Sequence, residues 1–499
     1  MEHVKNVVEW LDASAERSPD KIAFSDGNVS LTFAELRDET KRIASELARH
    51  GIFKKPVLVR MDKVPQAVAA FLGCARSGNF YAPLDVDTSA ERLAAIRDVI
   101  KPAAEITGEN YSSFAGAGID DGLLTVAAER QTAQDLLYIL FTSGSTGVPK
   151  AVAVSHRGMI ETSLAVREVF GFDESTVHGH GVQIYNSSSY LPIYQTLLCG
   201  GSDYLIPKSS MMFAPKIVDF LNAHKCNSIF WVSTSYAVIA KSGIFKKRRP
   251  EYLKTCMFTG ATMQTAVLNE WRRVIPDAVY ANMMGLTESA GSYLCYIVDR
   301  EFSDAEPLPI GRPFKNVDVL LLNERNEPCR PGETGELCIR SEKLSCGYYN
   351  APQKTSEFFV QNPLNSAYPE TVFRTGDLGY VNSHGEYMHA GRKDFQIKHM
   401  GYRIDPGEIE CAADRVEGVR MSACFYDEGA MKIVLAYCGE ADREYVRAEL
   451  KKLLPPYMMP ARFIRIAEMP LIASGKIDRR RLMREYAAMP AEPRRTAGN

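Results

Sequence analysis

Along the first third of the chain, apolar positions alternate between two periods. Val4, Val7, Val8 and Leu11 recur at the spacing of one helix face, which predicts an amphipathic first helix. Thr32 followed by Glu35 has the form of a capping box and opens a helix over Phe33–Arg49. The run PVLVRM at 56–61 reads as a short buried strand, 66–77 as a helix and 81–84 as another strand. Such alternation predicts layered α/β subdomains built on a largely parallel sheet. From about Asn316 the texture changes. VDVLLLNERNEPCRPGETGELCIRS sets short apolar runs between Asn, Pro and Gly turns, which predicts a small β-rich subdomain. After GRKD at 391–394 come a short strand, a helix opened by Asp405-Pro406 and further alternation to about Arg480. The expected division is a large N-terminal domain over 1–393 and a small mobile α+β domain over 394–499.

Length and composition agree with that division. A chain of 499 residues exceeds what one hydrophobic core organises. Apolar residues make up 45% and charged residues 24%, the balance of a globular protein. The formal net charge of -2 gives no electrostatic reason to expect nucleic acid or an anionic membrane as partner. The first twenty residues carry acids early and no continuous apolar core, unlike a signal peptide. No apolar run approaches the ~20 residues that span a bilayer. The eleven cysteines are scattered, with no C-x-x-C pair, and suit free thiols in a reducing cytoplasm. No cluster of metal-ligating residues stands out.

One stretch carries chemistry. YILFTSGSTGVPK at 138–150 begins as a buried strand and continues into small hydroxyl residues and glycines. Its glycines and lysine fall as G-x-x-G-x-x-K, not as a Walker loop. Small residues let the backbone approach a ligand, and successive N–H groups in such a turn form a concavity for anions. Thr142, Ser143, Ser145 and Thr146 add hydroxyl donors, and Lys150 adds a point charge. Taken alone, such a loop reads equally well as a surface turn.

The full string is more specific. TSGSTGVPK resembles the phosphate-loop signature of the adenylate-forming enzymes, which include peptide-synthetase adenylation domains, acyl-CoA synthetases and luciferases. The resemblance covers nearly the whole chain. LTFAEL, FYAPLDVDTSAERL, NMMGLTE, GELCIRSEKLSCGYYN, FRTGDLG, GRKDFQIKHMGYRIDPGEIE, LPPYMMPARF and SGKIDRRRL follow in the family's order. It implies ATP and Mg²⁺ as cofactors and a two-step reaction. A carboxylate attacks the α-phosphate of ATP and releases pyrophosphate, and a thiol then displaces AMP from the acyl group. By the resemblance, Thr142, Ser143, Ser145, Thr146 and Lys150 cradle the β- and γ-phosphates. Thr287 meets the α-phosphate, Glu288 holds the metal, Asp377 accepts the ribose hydroxyls and Arg392 approaches the ribose or phosphates. Gly260, Asn282 and Met284 border the nucleotide, with Met284 where relatives stack an aromatic residue on the base. Asp394 is the hinge, and Lys476 bridges the attacking carboxylate and the ribose.

The acyl substrate is less determined. Amino-acid adenylation domains carry F-D-x-S downstream of the loop lysine, its Asp pairing with the substrate ammonium. A literal FDES at 172–175 falls too early and reads as a surface turn. In register stands YNSSSY at 185–190, which puts Asn186 in the aspartate's place. An ammonium facing a neutral amide loses its counter-charge. An amino acid or amino-acid-like acid, an aryl acid, and a short aliphatic, hydroxy or keto acid therefore all stay open. By position, Ser187, Tyr190, Trp231, Met257, Thr259, Met283, Gly291 and Ser292 line the acyl pocket with Asn186, although Trp231 and Met257 read also as sheet core. The motif spellings favour a separate phosphopantetheinylated carrier protein as acceptor, with coenzyme A as the alternative. A groove near Lys398 would favour the latter.

Overall fold

The computed structural model describes residues 4–142, 149–393, 396–471 and 477–487. Helix and strand start where local chemistry directs them. Thr32 caps the helix Phe33–Arg49, its hydroxyl accepting the Glu35 N–H at 3.2 Å while Glu35 accepts the Thr32 N–H at 2.8 Å. Pro65 opens the helix Pro65–Arg76 at a position where its missing N–H costs nothing. The first helix, Val8–Arg17, buries Val8 and Leu11, and Val7 just before it is buried as well.

These elements assemble into two α/β layers. A five-stranded sheet runs in the order Ala104–Thr107, Pro56–Arg60, Phe80–Leu84, Leu136–Thr142, Lys150–Ser155. It is parallel except for its last strand, which turns back along Leu136–Thr142. A nine-stranded sheet has a parallel centre formed by Val279–Leu286, Thr255–Thr259, Ser228–Val232, Val177–His180 and Ser202–Leu205, with antiparallel strands towards its edges. An aromatic core joins the five-stranded sheet to the helices Pro65–Arg76 and Tyr190–Cys199. Tyr138 stacks on Tyr190 with centroids 4.4 Å apart, Phe71 stacks on Tyr81 at 4.4 Å, and the Tyr81 and Tyr194 hydroxyls meet at 2.6 Å. The β-rich part is an antiparallel sheet of Val317–Leu322, Gly335–Ser341, Thr371–Val381, Phe359–Gln361 and Tyr387–Arg392.

Beyond residue 396 the chain builds its own α+β unit. A hairpin of Ile397–His399 and Tyr402–Ile404 is followed by the helix Pro406–Ala413, whose N-cap Asp405 accepts the Gly407 N–H at 3.0 Å. A three-stranded sheet, Val419–Asp427, Lys432–Gly439 and Arg462–Arg465, completes it. Its two apolar clusters draw only on residues after 396, and the other clusters only on residues before 390. Among the described residues, no helix is long and apolar enough to cross a membrane, and no group of His, Cys, Asp and Glu could hold a metal by itself.

Candidate active site

The strand Leu136–Thr142 delivers Thr142 to the rim of a cavity between the two α/β layers and the small domain. Thr142 is buried, and its hydroxyl has no partner among the described residues. Lys150 sits opposite Thr142 in the antiparallel register. Its ammonium lies 5.4 Å from the Phe358 ring centroid and 6.0 Å from that of Tyr348. Burial and the nearby Arg403 lower the Lys150 pKa, against the pull of Glu288. Ser143, Ser145, Thr146, Asp394 and Lys476 lie outside the described residues.

Strand Val279–Leu286 ends in a single 3-10 turn, Thr287–Ser289. The turn closes through Ala290 at φ 51 and Gly291 at φ 117, a pair of left-handed residues that glycine tolerates best. Glu288 is thereby held fully buried. Its Oε1 accepts the Tyr348 hydroxyl at 2.9 Å and Arg403 Nη1 at 2.6 Å, while Oε2 has no partner among the described residues. Burial alone would raise the pKa of this carboxyl. Arg403, a backbone N–H, Tyr348 and Lys150 outweigh burial and hold it below the ordinary value.

Asp377 is set in the strand Thr371–Val381, directly across from Arg392. Arg392 Nη1 lies 2.8 Å from Asp377 Oδ1, His389 Nε2 3.4 Å and Lys398 Nζ 3.7 Å. Asp377 Oδ2 has no partner among the described residues. Burial would raise its pKa, but Lys398, the His389 hydrogen bond and Arg392 drive it well below the usual carboxylate range. Lys398 reaches across to Met284 Sδ at 3.8 Å, and Asn282 spends its amide on the Pro309 carbonyl at 2.8 Å. Gly260, at φ 79, stands so near the hairpin that a Cβ there would lie 3.2 Å from Gly401 Cα.

The cavity itself is lined by Asn186, Ser187 and Ser188 from one turn, by Leu191 from the helix Tyr190–Cys199 that follows, and by Met159, Thr162 and Val166 from the helix His156–Phe170. Phe230, Thr259, Gly260, Gly285–Ser292 residues including Thr287, Gly291 and Ser292, and the small-domain residues Lys398, Gly401, Tyr402, Arg403 and Tyr457 close it. Four expected lining residues stand elsewhere. Tyr190 is buried in the aromatic core, its hydroxyl donating to the Ile184 carbonyl at 3.0 Å. Trp231 points to the other face of its strand, where Nε1 donates to the Gly179 carbonyl at 2.7 Å. Side chains alternate along a strand, so Phe230 takes the cavity face that Trp231 cannot. Met257 and Met283 share the face of Phe230 but pack behind it, in a cluster with Phe172 and Leu191. The segment FDES is a polar turn in which Asp173 accepts the Ser175 N–H at 2.8 Å.

Comparison with known proteins assigns this arrangement. A model of the AMP-binding enzyme family matches residues 11–349. The chain belongs to the AMP-binding enzyme family. Among curated relatives, gramicidin S synthase 2 of Brevibacillus brevis is 28% identical over 493 residues, a match covering 96% of this chain and 11% of that synthase. The chain thus spans about a tenth of that relative. Among solved structures, the adenylation domain AlmE of Vibrio cholerae shares the fold with a TM-score of 0.84 at 20% identity, over 98% of this chain and 99% of that one. Holo-PA1221, a nonribosomal peptide synthetase protein containing adenylation and PCP domains, gives 0.81 at 22% identity, over 96% and 84%.

In this AMP-binding enzyme the small domain contributes directly to the cavity. Tyr402 stacks on Tyr457 at 3.8 Å with planes 7° apart, and the Tyr185 ring lies 6.5 Å from that of Tyr402. Asn186 Nδ2 donates to the Gly401 carbonyl at 2.9 Å, and Arg92 pairs with the buried Glu408 at 2.6 Å. Sequence reasoning missed Phe230, Met159, Val166, Leu191, Tyr402 and Arg403 as lining residues. The alternation beside Trp231 was the available signal for Phe230. Arg403 and Tyr402 lie in the string GRKDFQIKHMGYRIDPGEIE, but nothing in it placed them at the cavity, which they reach by the docking of one domain on another.

Proposed function

We propose that this chain activates a small, amino-acid-sized carboxylic acid with ATP and passes the acyl group to a phosphopantetheine thiol on a separate carrier protein. The observation that carries this reading is a pair of buried, ionised carboxylates, Glu288 and Asp377. Each keeps one oxygen without a partner among the described residues, and each is tied to a cation lining one cavity, Arg403 and Lys398. Buried charge of that kind is costly unless a ligand or function uses it.

In the first step a carboxylate oxygen of the acid bonds to the α-phosphorus of ATP. The bond from that phosphorus to the bridging oxygen breaks, and pyrophosphate leaves. Thr142 and Lys150, with Ser143, Ser145 and Thr146, are assigned to the leaving phosphates, Thr287 to the α-phosphate, and Asp377 with Arg392 to the ribose. Gly260, Asn282 and Met284 border the base. Glu288 fits a magnesium ion, because its free oxygen is a hard donor beside Thr287. When bound, that ion would neutralise phosphate charge. Lys476 is assigned to the charge developing between acid and ribose, and Asp394 to the hinge at the boundary of 1–393 and 394–499.

In the second step the sulfur bonds to the acyl carbon, the carbon–oxygen bond to AMP breaks, and the thiol proton is lost. A second cavity lined by Pro83, Thr88, Arg92 and Pro455 shares Phe141, Tyr185 and Tyr457 with the first and suits a long, thin thiol arm. The reading is tested by acid-dependent ATP–pyrophosphate exchange and by loading of a phosphopantetheinylated carrier against coenzyme A. Lys476→Ala is expected to lower exchange by about 10²–10³-fold with the fold intact. Exchange at the wild-type rate from that variant, or ADP as product, would overturn it.

A further inference from the structure

The charges around the cavity constrain what the acid can be, given the activation reading above. Among the described residues, no Asp or Glu lines the cavity. Of the segments 143–148, 394–395 and 472–476 outside the described residues, only the second carries an acid in its sequence, Asp394, assigned above to the hinge. The carboxylates around it each hold a partner through one oxygen, and Glu288 Oε2 and Asp203 Oδ1 have none among the described residues. Glu288 receives Arg403 and Tyr348. Asp85 receives the Tyr185 hydroxyl. Asp203, buried below the turn that carries Asn186, receives His180 Nδ1 at 2.8 Å, and His180 Nε2 meets Ser189 Oγ at 2.9 Å. That relay fastens the turn from beneath, with Lys63 donating to the His180 carbonyl at 3.0 Å.

The cations are placed the other way. Lys398 and Arg403 line the cavity, beside Asp377 and Glu288 respectively, and the buried Lys343 donates to the Ser292 carbonyl. The polar groups on the acyl side are neutral, and Asn186 is already engaged. Its Nδ2 donates to Gly401 at 2.9 Å and its Oδ1 accepts the Ser188 N–H at 3.0 Å. An ammonium brought here would lose its water and find no carboxylate among the described lining residues. A hydrocarbon body, in contrast, meets Met159, Val166, Leu191 and Phe230.

We infer that the acid taken by this enzyme carries no ammonium group. It is a monocarboxylate with an apolar body and at most neutral hydrogen-bonding substituents, such as a hydroxyl or carbonyl, rather than a free α-amino acid. The experiment is ATP–pyrophosphate exchange by the full chain with Mg²⁺ and matched acids. The pairs are L-phenylalanine with 3-phenylpropanoate and 3-phenyllactate, L-leucine with 4-methylpentanoate and its 2-hydroxy analogue, and L-valine with 3-methylbutanoate, extended by benzoate and 2-hydroxybenzoate. An amine-free acid is expected to exceed its matched amino acid by about 100-fold or more in rate at equal concentration. A free α-amino acid exchanging as fast as its amine-free partner, or faster, overturns the inference and leaves the activation reading standing. Exchange with no member of the set overturns the activation reading, and this inference with it.

Discussion

At Asn186 one atom decides a charge balance. Replacing Nδ2 by a carboxylate oxygen removes the donor to Gly401 and supplies the counter-charge the cavity lacks. Asn186→Asp is therefore expected to raise exchange with free α-amino acids relative to their amine-free partners by roughly 10–100-fold. The same matched panel measures it, and an unchanged ratio would mean that another residue faces the substrate's α-carbon. Asp377 makes a second prediction at this scale. An ionised carboxylate accepting hydroxyl groups contributes about 1.5–3 kcal/mol, so Asp377→Ala is expected to raise the KM for ATP about 10–100-fold. Initial-rate kinetics at saturating acid check this, and a KM for ATP at the wild-type value would remove the ribose role. Glu288 and Asp377 could be proposed as single residues because each lies in a short string that resembles a family motif.

Elements add the rule of alternation. In the strand Ser228–Val232, Phe230 faces the cavity and Trp231 faces the opposite core. Trp231→Ala is expected to cost about 3–5 kcal/mol of stability without widening the cavity. Phe230→Ala is expected to admit bulkier acids. Urea midpoints and the exchange panel separate the two, and a substrate range widened by Trp231→Ala instead would invert the assigned faces. The period-2 pattern was visible in the sequence, but both faces of this central strand are covered, so both read as apolar. Which side borders the cavity was settled by Val166 and Leu191 meeting Phe230, while Trp231 joined the opposite cluster.

For the whole molecule, buried ionisable groups set the dependence of stability on pH. Burial lowers His156 and His178 from 6.5 to about 4. The unfolded chain then binds protons first, so their contribution is complete above pH 6.5 and is lost as the pH falls towards 4. Burial lowers Lys63 and Lys343 from 10.5 to about 7. Between those values the unfolded chain keeps a proton that the folded chain has released, so stability rises with pH through that window. Urea midpoints are expected to climb on both limbs, and Lys343→Met is expected to flatten the alkaline one. An alkaline limb unchanged by that substitution would place the ammonium elsewhere. Apolar clusters that do not cross residue 396 support a further expectation. A chain ending at residue 393 should unfold cooperatively by circular dichroism while losing adenylation, and a non-cooperative melt would move the proposed boundary.

The sequence by itself determined the layered α/β architecture and the order of its parts, and it supplied the strings proposed for phosphate, metal and ribose. Helix caps, strand periods and short polar motifs act over a few residues, and that information is complete within the stretch that carries it. The tertiary structure alone decided that Arg403 would sit on Glu288, Lys398 beside Asp377, and Gly401 against Asn186. Each of those contacts joins groups more than a hundred residues apart or on separate folding units, or both, as with the 115 positions between Arg403 and Glu288. A contact of that kind depends on how two surfaces meet, and no local period or spacing encodes it.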